Sequence, residues 1–155
     1  MAILFTQTME HKINNTFSSD FLQKLPEVIR KHTDWDYIYQ QRDSGCFLIP
    51  TFHNMPYRNS FVPEIDVIVS HYEGYSLLHI TGQPVKSVRI FMSFWFVFMS
   101  FLEVILLILA IASNPISIIP VVIPIAMCVF GYLLCELATK ATFNSIVKAI
   151  KKETA

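Results

Sequence analysis

The chain has 155 residues, and its 12 Lys plus Arg balance its 12 Asp plus Glu, so no net charge points to nucleic acid. Hydrophobic residues make up 53% of it, above the usual range of soluble domains. The three cysteines, Cys46, Cys128 and Cys135, lack metal-ligand spacing and imply neither a disulfide framework nor a bound cofactor.

Met1 to Phe5 is apolar but too short for a signal-peptide core, so the N-terminus is expected to be retained and not exported. Ile3 to Thr8 is a short β-prone run. Asn14-Asn15-Thr16 fits a glycosylation sequon, which matters only on a lumenal side. Phe17-Ser18-Ser19-Asp20 offers helix caps before the apolar stripe Phe21, Leu22, Leu25, Val28 and Ile29. Pro26 interrupts that stripe, and either kinks the helix or opens a second one.

From Trp35 the period changes to two. Trp35, Tyr37 and Tyr39 alternate against Asp36 and Gln40, Arg42-Asp43-Ser44-Gly45 supplies a turn, and Cys46 to Phe52 returns as a partner strand. His53 to Phe61 is irregular. Ile65, Val67 and Val69 then begin a second hairpin that turns at Tyr72-Glu73-Gly74-Tyr75 and returns through Leu77 to Thr81. The pattern predicts an α+β fold, a four- or five-stranded antiparallel sheet covered on one face by a helix, over residues 1–89.

Residues 90–134 hold two apolar runs, Ile90 to Ala112 and Ile116 to Leu134, separated by Ser113-Asn114-Pro115. As a helix the first would reach about 34 Å, enough to cross a hydrocarbon core of about 30 Å. So short a connection predicts a tight antiparallel transmembrane hairpin. Lys86 and Arg89 precede the hairpin, Lys140, Lys148, Lys151 and Lys152 follow it, and the loop between has no cation. Both termini are therefore expected on the cytoplasmic side of a cell membrane. Residues 135–155 read as a basic amphipathic helix, with Phe143, Ile146, Val147 and Ile150 on its apolar stripe. That stripe is expected either at the membrane interface or against the sheet.

The segments Tyr57-Arg58-Asn59-Ser60-Phe61-Val62-Pro63, Phe91-Met92-Ser93-Phe94-Trp95-Phe96, Pro124-Ile125-Ala126-Met127 and Phe130-Gly131-Tyr132 carry a resemblance. In order and spacing, from Gly45 to the last helix, the chain resembles a group of small uncharacterised bacterial membrane proteins. The resemblance implies a bacterial inner-membrane protein and carries over no functional residue. The layout is more loosely similar to bacterial pleckstrin-homology-like proteins, although here the strands precede the hairpin.

Glu103 is the most informative single residue, since an acid near the centre of a spanning helix costs roughly 2.5 to 3.5 kcal/mol on insertion scales. It shares a helical stripe with Ser93, Phe96, Ser100, Leu107 and Ala110. Ser117, Pro120, Pro124, Cys128, Gly131 and Cys135 form a facing stripe of small residues and prolines that allows close packing. In one reading Glu103 donates to the carbonyl of Pro120, which Pro124 leaves without its helical partner. In a second it lines a proton or ion path, and in a third it is an unpaired or water-exposed carboxyl. Arg58, Lys148, Lys151 and Lys152 are candidate contacts for lipid headgroups or a protein partner. The histidines are scattered without ligand spacing, and Cys46 has no neighbouring His to activate it, so no enzyme is expected. The leading expectation is a membrane-tethered cytoplasmic module acting through lipid or protein contacts as a sensor, scaffold or accessory subunit, alone or as a homo-oligomer. The alternative is a small oligomeric pore using Glu103.

Overall fold

A computed structural model describes residues 5–13, 19–51, 61–112 and 119–154. The elements run β1 (Gln7–Ile13), α1 (Ser19–His32), β2 (Asp36–Arg42), β3 (Gly45–Thr51), β4 (Pro63–Tyr72), β5 (Tyr75–Pro84), α2 (Lys86–Ala112) and α3 (Ile119–Thr154). Two compact units result: Met1–Val85 together with Ala138–Ala155, and Lys86–Leu137.

The first unit is a five-stranded antiparallel sheet in the order β1-β5-β4-β3-β2. Two hairpins build most of it, because Asp43-Ser44 and Glu73-Gly74 turn the chain between strands whose side chains alternate in and out. Gly74 takes φ +82°, a conformation open to glycine at little cost. β1 is Gln7–Ile13, alternating partly buried and exposed, and it pairs with β5 from Gln7↔Gly82 to Ile13↔Ser76; it shares Gln7 and Thr8 with the expected β-prone run, whose Ile3 and Leu4 lie outside the described residues. α1 continues as one helix through Pro26, with Leu25 and Ile29 fully buried.

The core lies on the face lined by Leu48, Ile65, Val67, Leu78 and Ile80, all fully buried. α1 covers part of it, and the last turns of α3 cover more, adding Phe143, Ile146, Val147 and Ile150 to the same core. The segment expected as a separate helix from residue 135 is thus the continuation of α3, and the sheet domain is discontinuous in sequence. Thr142 Oγ1 donates to the carbonyl of Phe61 at 3.0 Å, and a Cβ at Gly82 would collide with the Phe143 ring. On the other side of the core, the Tyr37 hydroxyl donates to the carbonyl of Pro63 at 2.9 Å.

In the second unit α2 and α3 are long and apolar enough to cross a membrane. Met92, Met99 and Ala110 are the buried positions of α2, while Phe94, Val97, Phe101 and Ile111 are exposed.

Candidate functional site

Three places collect polar groups that the folding of the backbone does not explain. The first is in the apolar pair. Glu103 is partly buried, and its Oε2 is enclosed with no hydrogen-bond partner among the described residues. Of the stripe it belongs to, Ala110 is buried and Ser93 and Phe96 are partly buried, whereas Ser100 and Leu107 are exposed; Met92 and Met99, outside that stripe, are buried. The buried seam is therefore rotated toward the methionines, whose longer side chains fill it better than serines. Ser93 is partly buried and donates to the carbonyl of Arg89 at 2.8 Å, so it is engaged within its own helix.

α3 carries the stripe of prolines and small residues. Pro124 and Cys135 are buried, and Cys128 and Gly131 are partly buried. A Cβ on Gly131 would sit 3.7 Å from Trp95 Nε1, ordinary contact across the two helices. The side chain of Pro120, the Ser113-Asn114-Pro115 connection and Arg58 lie outside the described residues.

The second place is a hollow of about 530 Å³ on the helix-covered face of the sheet. It arises because β4 and β5 have 10 residues each and β2 and β3 have 7, so the longer hairpin projects beyond the shorter one. Leu22 and Val69 line it together with the polar residues Tyr39, Gln41, Arg42 and His71. His71 Nδ1 lies 3.1 Å from Ser76 Oγ, and Arg42 reaches Asp66 at 2.9 Å, so both are engaged in part within the sheet domain. Cys46 is buried nearby in the core. Burial, and then the Asp66 carboxylate, push its thiol up to about 12, which leaves it un-ionised and unreactive at neutral pH.

The third place is the end of α3. Glu153 accepts from Lys31 Nζ at 2.7 Å and lies 3.0 Å from His32 Nε2, while His11 Nε2 lies 2.9 Å from Thr154 Oγ1. The Lys31 and His32 contacts hold the Glu153 carboxyl below its usual range. Burial, and then the charge of Lys151, lower His11. The contacts fasten the last turn of α3 to α1 and β1. Lys148 and Lys152 remain exposed, and Lys151 is partly buried.

These groups do not converge on one reacting point. Among the described residues no three His, Cys, Asp or Glu side chains are grouped to hold a metal. The chain matches no protein-family model, no curated protein and no solved structure.

Proposed function

We propose that the chain is a small α+β domain anchored in a cell membrane by α2 and α3, with both termini cytoplasmic, and that it works through contacts with lipids or proteins. The observation that carries this reading is the exposure of the apolar helices. Val97 is 70% exposed and Ile111 69%, along helices that present Phe and Leu on nearly every side. A core helix of a soluble domain hides such residues, and an apolar surface of this extent in water would drive aggregation. Hydrocarbon removes the difficulty.

The anchor is joined to the domain at both ends. β5 ends at Pro84 and α2 starts at Lys86, while α3 passes without a break from its apolar stretch into the core of the sheet domain. Lys86 and Arg89 before the pair, Lys140 after it, and the absence of cations between them orient it. The exposed Lys148 and Lys152 offer further contacts to anionic partners. The test is topological. In a background lacking the native cysteines, Asn114→Cys should react with an impermeant thiol reagent in intact cells, and Thr154→Cys should not. Labelling at Thr154 with protection at Asn114 would reverse the orientation, and labelling of both only after detergent is added would contradict an exposed loop.

A second reading rests on Glu103, whose enclosed and unpartnered Oε2 suits a group that holds a proton or cation in passing. Under that reading wild-type liposomes conduct cations, and Glu103→Gln, which keeps the volume and removes the ionisable group, loses or alters the flux. Under the tether reading both are silent. Flux in wild type that Glu103→Gln abolishes would replace the tether by a conducting assembly.

A further inference from the structure

The two edges of the sheet differ. β1 carries Glu10, His11 and Lys12 in its centre, and charges of this kind guard an edge against further pairing. β2 is the other edge, and its central residues Tyr37, Ile38, Tyr39, Gln40 and Gln41 include no charge, proline or glycine. Its hydrogen-bonding direction follows from the hairpin. The two-residue turn makes Arg42 and Gly45 a bonded pair, so the even-numbered residues of β2 direct their N–H and C=O groups to β3. The bond from Val69 N to Ser44 O agrees, because it shows the even-numbered residues of β3 turned to β4. Tyr37, Tyr39 and Gln41 therefore point their backbone groups outward, and no backbone partner meets them among the described residues.

From this edge we infer that β2 is a self-association surface, on which a second copy of the chain adds its own β2 antiparallel about a two-fold axis at Tyr39. The sequence is self-complementary about that centre. Tyr39 faces Tyr39 of the other copy and Tyr37 faces Gln41, so every outward N–H and C=O of the three residues finds a mate. Asp36 comes opposite Arg42. Within one chain Asp36 lies 3.3 Å from Arg30 and Arg42 lies 2.9 Å from Asp66, so each cross-copy meeting links two existing ion pairs into an alternating row of four charges. Moving the axis by one residue in either direction leaves an outward residue facing chain beyond the strand and separates Asp36 from Arg42.

Apolar surface agrees with the register. On the uncovered face Ile38 is 52% exposed beside its cross-strand partner Ile49, and the two-fold axis brings the Ile38 side chains of both copies together diagonally across the seam. The product is one continuous sheet through both copies. The inference concerns the sheet domain alone and stands whether or not α2 and α3 lie in a membrane.

The experiment uses the full-length chain purified in detergent. Light scattering should show a dimer, and Ile38→Lys, at an exposed position where folding does not need the isoleucine, should weaken association by about tenfold or more, as a single unfavourable edge charge does. Gln41→Pro removes an outward N–H and leaves the β2–β3 ladder intact, and it should act in the same direction. Register is read by cross-linking in a background of Cys46→Ala, Cys128→Ala and Cys135→Ala. Tyr39→Cys should form a disulfide-linked dimer on oxidation, because directly opposed bonded residues are about 5.5 Å apart at Cα. Gln41→Cys should not, since the two copies of residue 41 would be about 13 Å apart. A monomer at all concentrations would overturn the inference. So would a dimer that Ile38→Lys leaves unchanged and Tyr39→Cys does not cross-link.

Discussion

Residues 1–85 made without the rest of the chain are expected to show no cooperative unfolding transition, although they contain all five strands and α1. The missing Phe143, Ile146, Val147 and Ile150 are each 3% exposed or less, and they cover the part of the sheet that α1 does not. Burial of one such side chain is worth about 1.5 to 3 kcal/mol. Four together are comparable with the whole net stability of a small domain, about 5 to 15 kcal/mol. The fragment would also expose Leu78 and Ile80, so it should aggregate or bind a hydrophobic dye. Circular dichroism against urea checks this: a sigmoidal transition from the fragment alone would show that the end of α3 is dispensable.

Gly45→Ala is expected to break the pairing of β3 with β4. A Cβ at this position would run into the carbonyl oxygen of Val67 and crowd the Cα of Ile68, both of them backbone atoms that cannot swing aside. Overpacking of flexible side chains costs about 1 to 3 kcal/mol, and a collision with a paired backbone should cost at least the upper part of that range. Hydrogen exchange should show lost protection at Cys46, Leu48 and Val67. Gly74→Ala is the control, since nothing lies within 4 Å of its Cβ and only its φ of +82° opposes the change, at about 1 kcal/mol. Equal effects from the two substitutions would contradict the geometry drawn for the β3–β4 register.

Much of this architecture is legible in the residues. The alternation of Tyr37, Tyr39 and then Ile65, Val67, Val69 marks the strands, the two turns mark the hairpins, and the length of the apolar runs marks α2 and α3. The α+β class and a sheet of four or five antiparallel strands follow from those signals, and the sheet has five. Where the last helix goes is not legible. Phe143, Ile146, Val147 and Ile150 form a stripe that would suit lipid headgroups or a protein core equally well, and periodicity carries no address. Only the pairing of β1 beside β5, which opens a strip of sheet that α1 leaves uncovered, gives the stripe its destination.

The same holds for the polar groups. Glu103 announces itself by standing alone in an apolar run, and the stripe of Pro124, Cys128 and Gly131 follows from helical spacing. The rotation that leaves Ser100 exposed depends on how Met92 and Met99 pack, which spacing alone does not decide. The hollow beside Leu22 and the outward groups of β2 depend on strand length and hydrogen-bond direction. Both are properties of register, and register requires the paired strands.

If α2 and the apolar part of α3 anchor a sheet domain that is complete only when the end of α3 returns to it, a flexible Gly-Ser linker in place of residues 86–137 should release that domain intact. The linker chain should be recovered in the soluble fraction, with mixed helix and strand by circular dichroism and a cooperative urea transition that residues 1–85 lack. A linker chain that still sediments with membranes, or that unfolds no more cooperatively than residues 1–85, would contradict this arrangement.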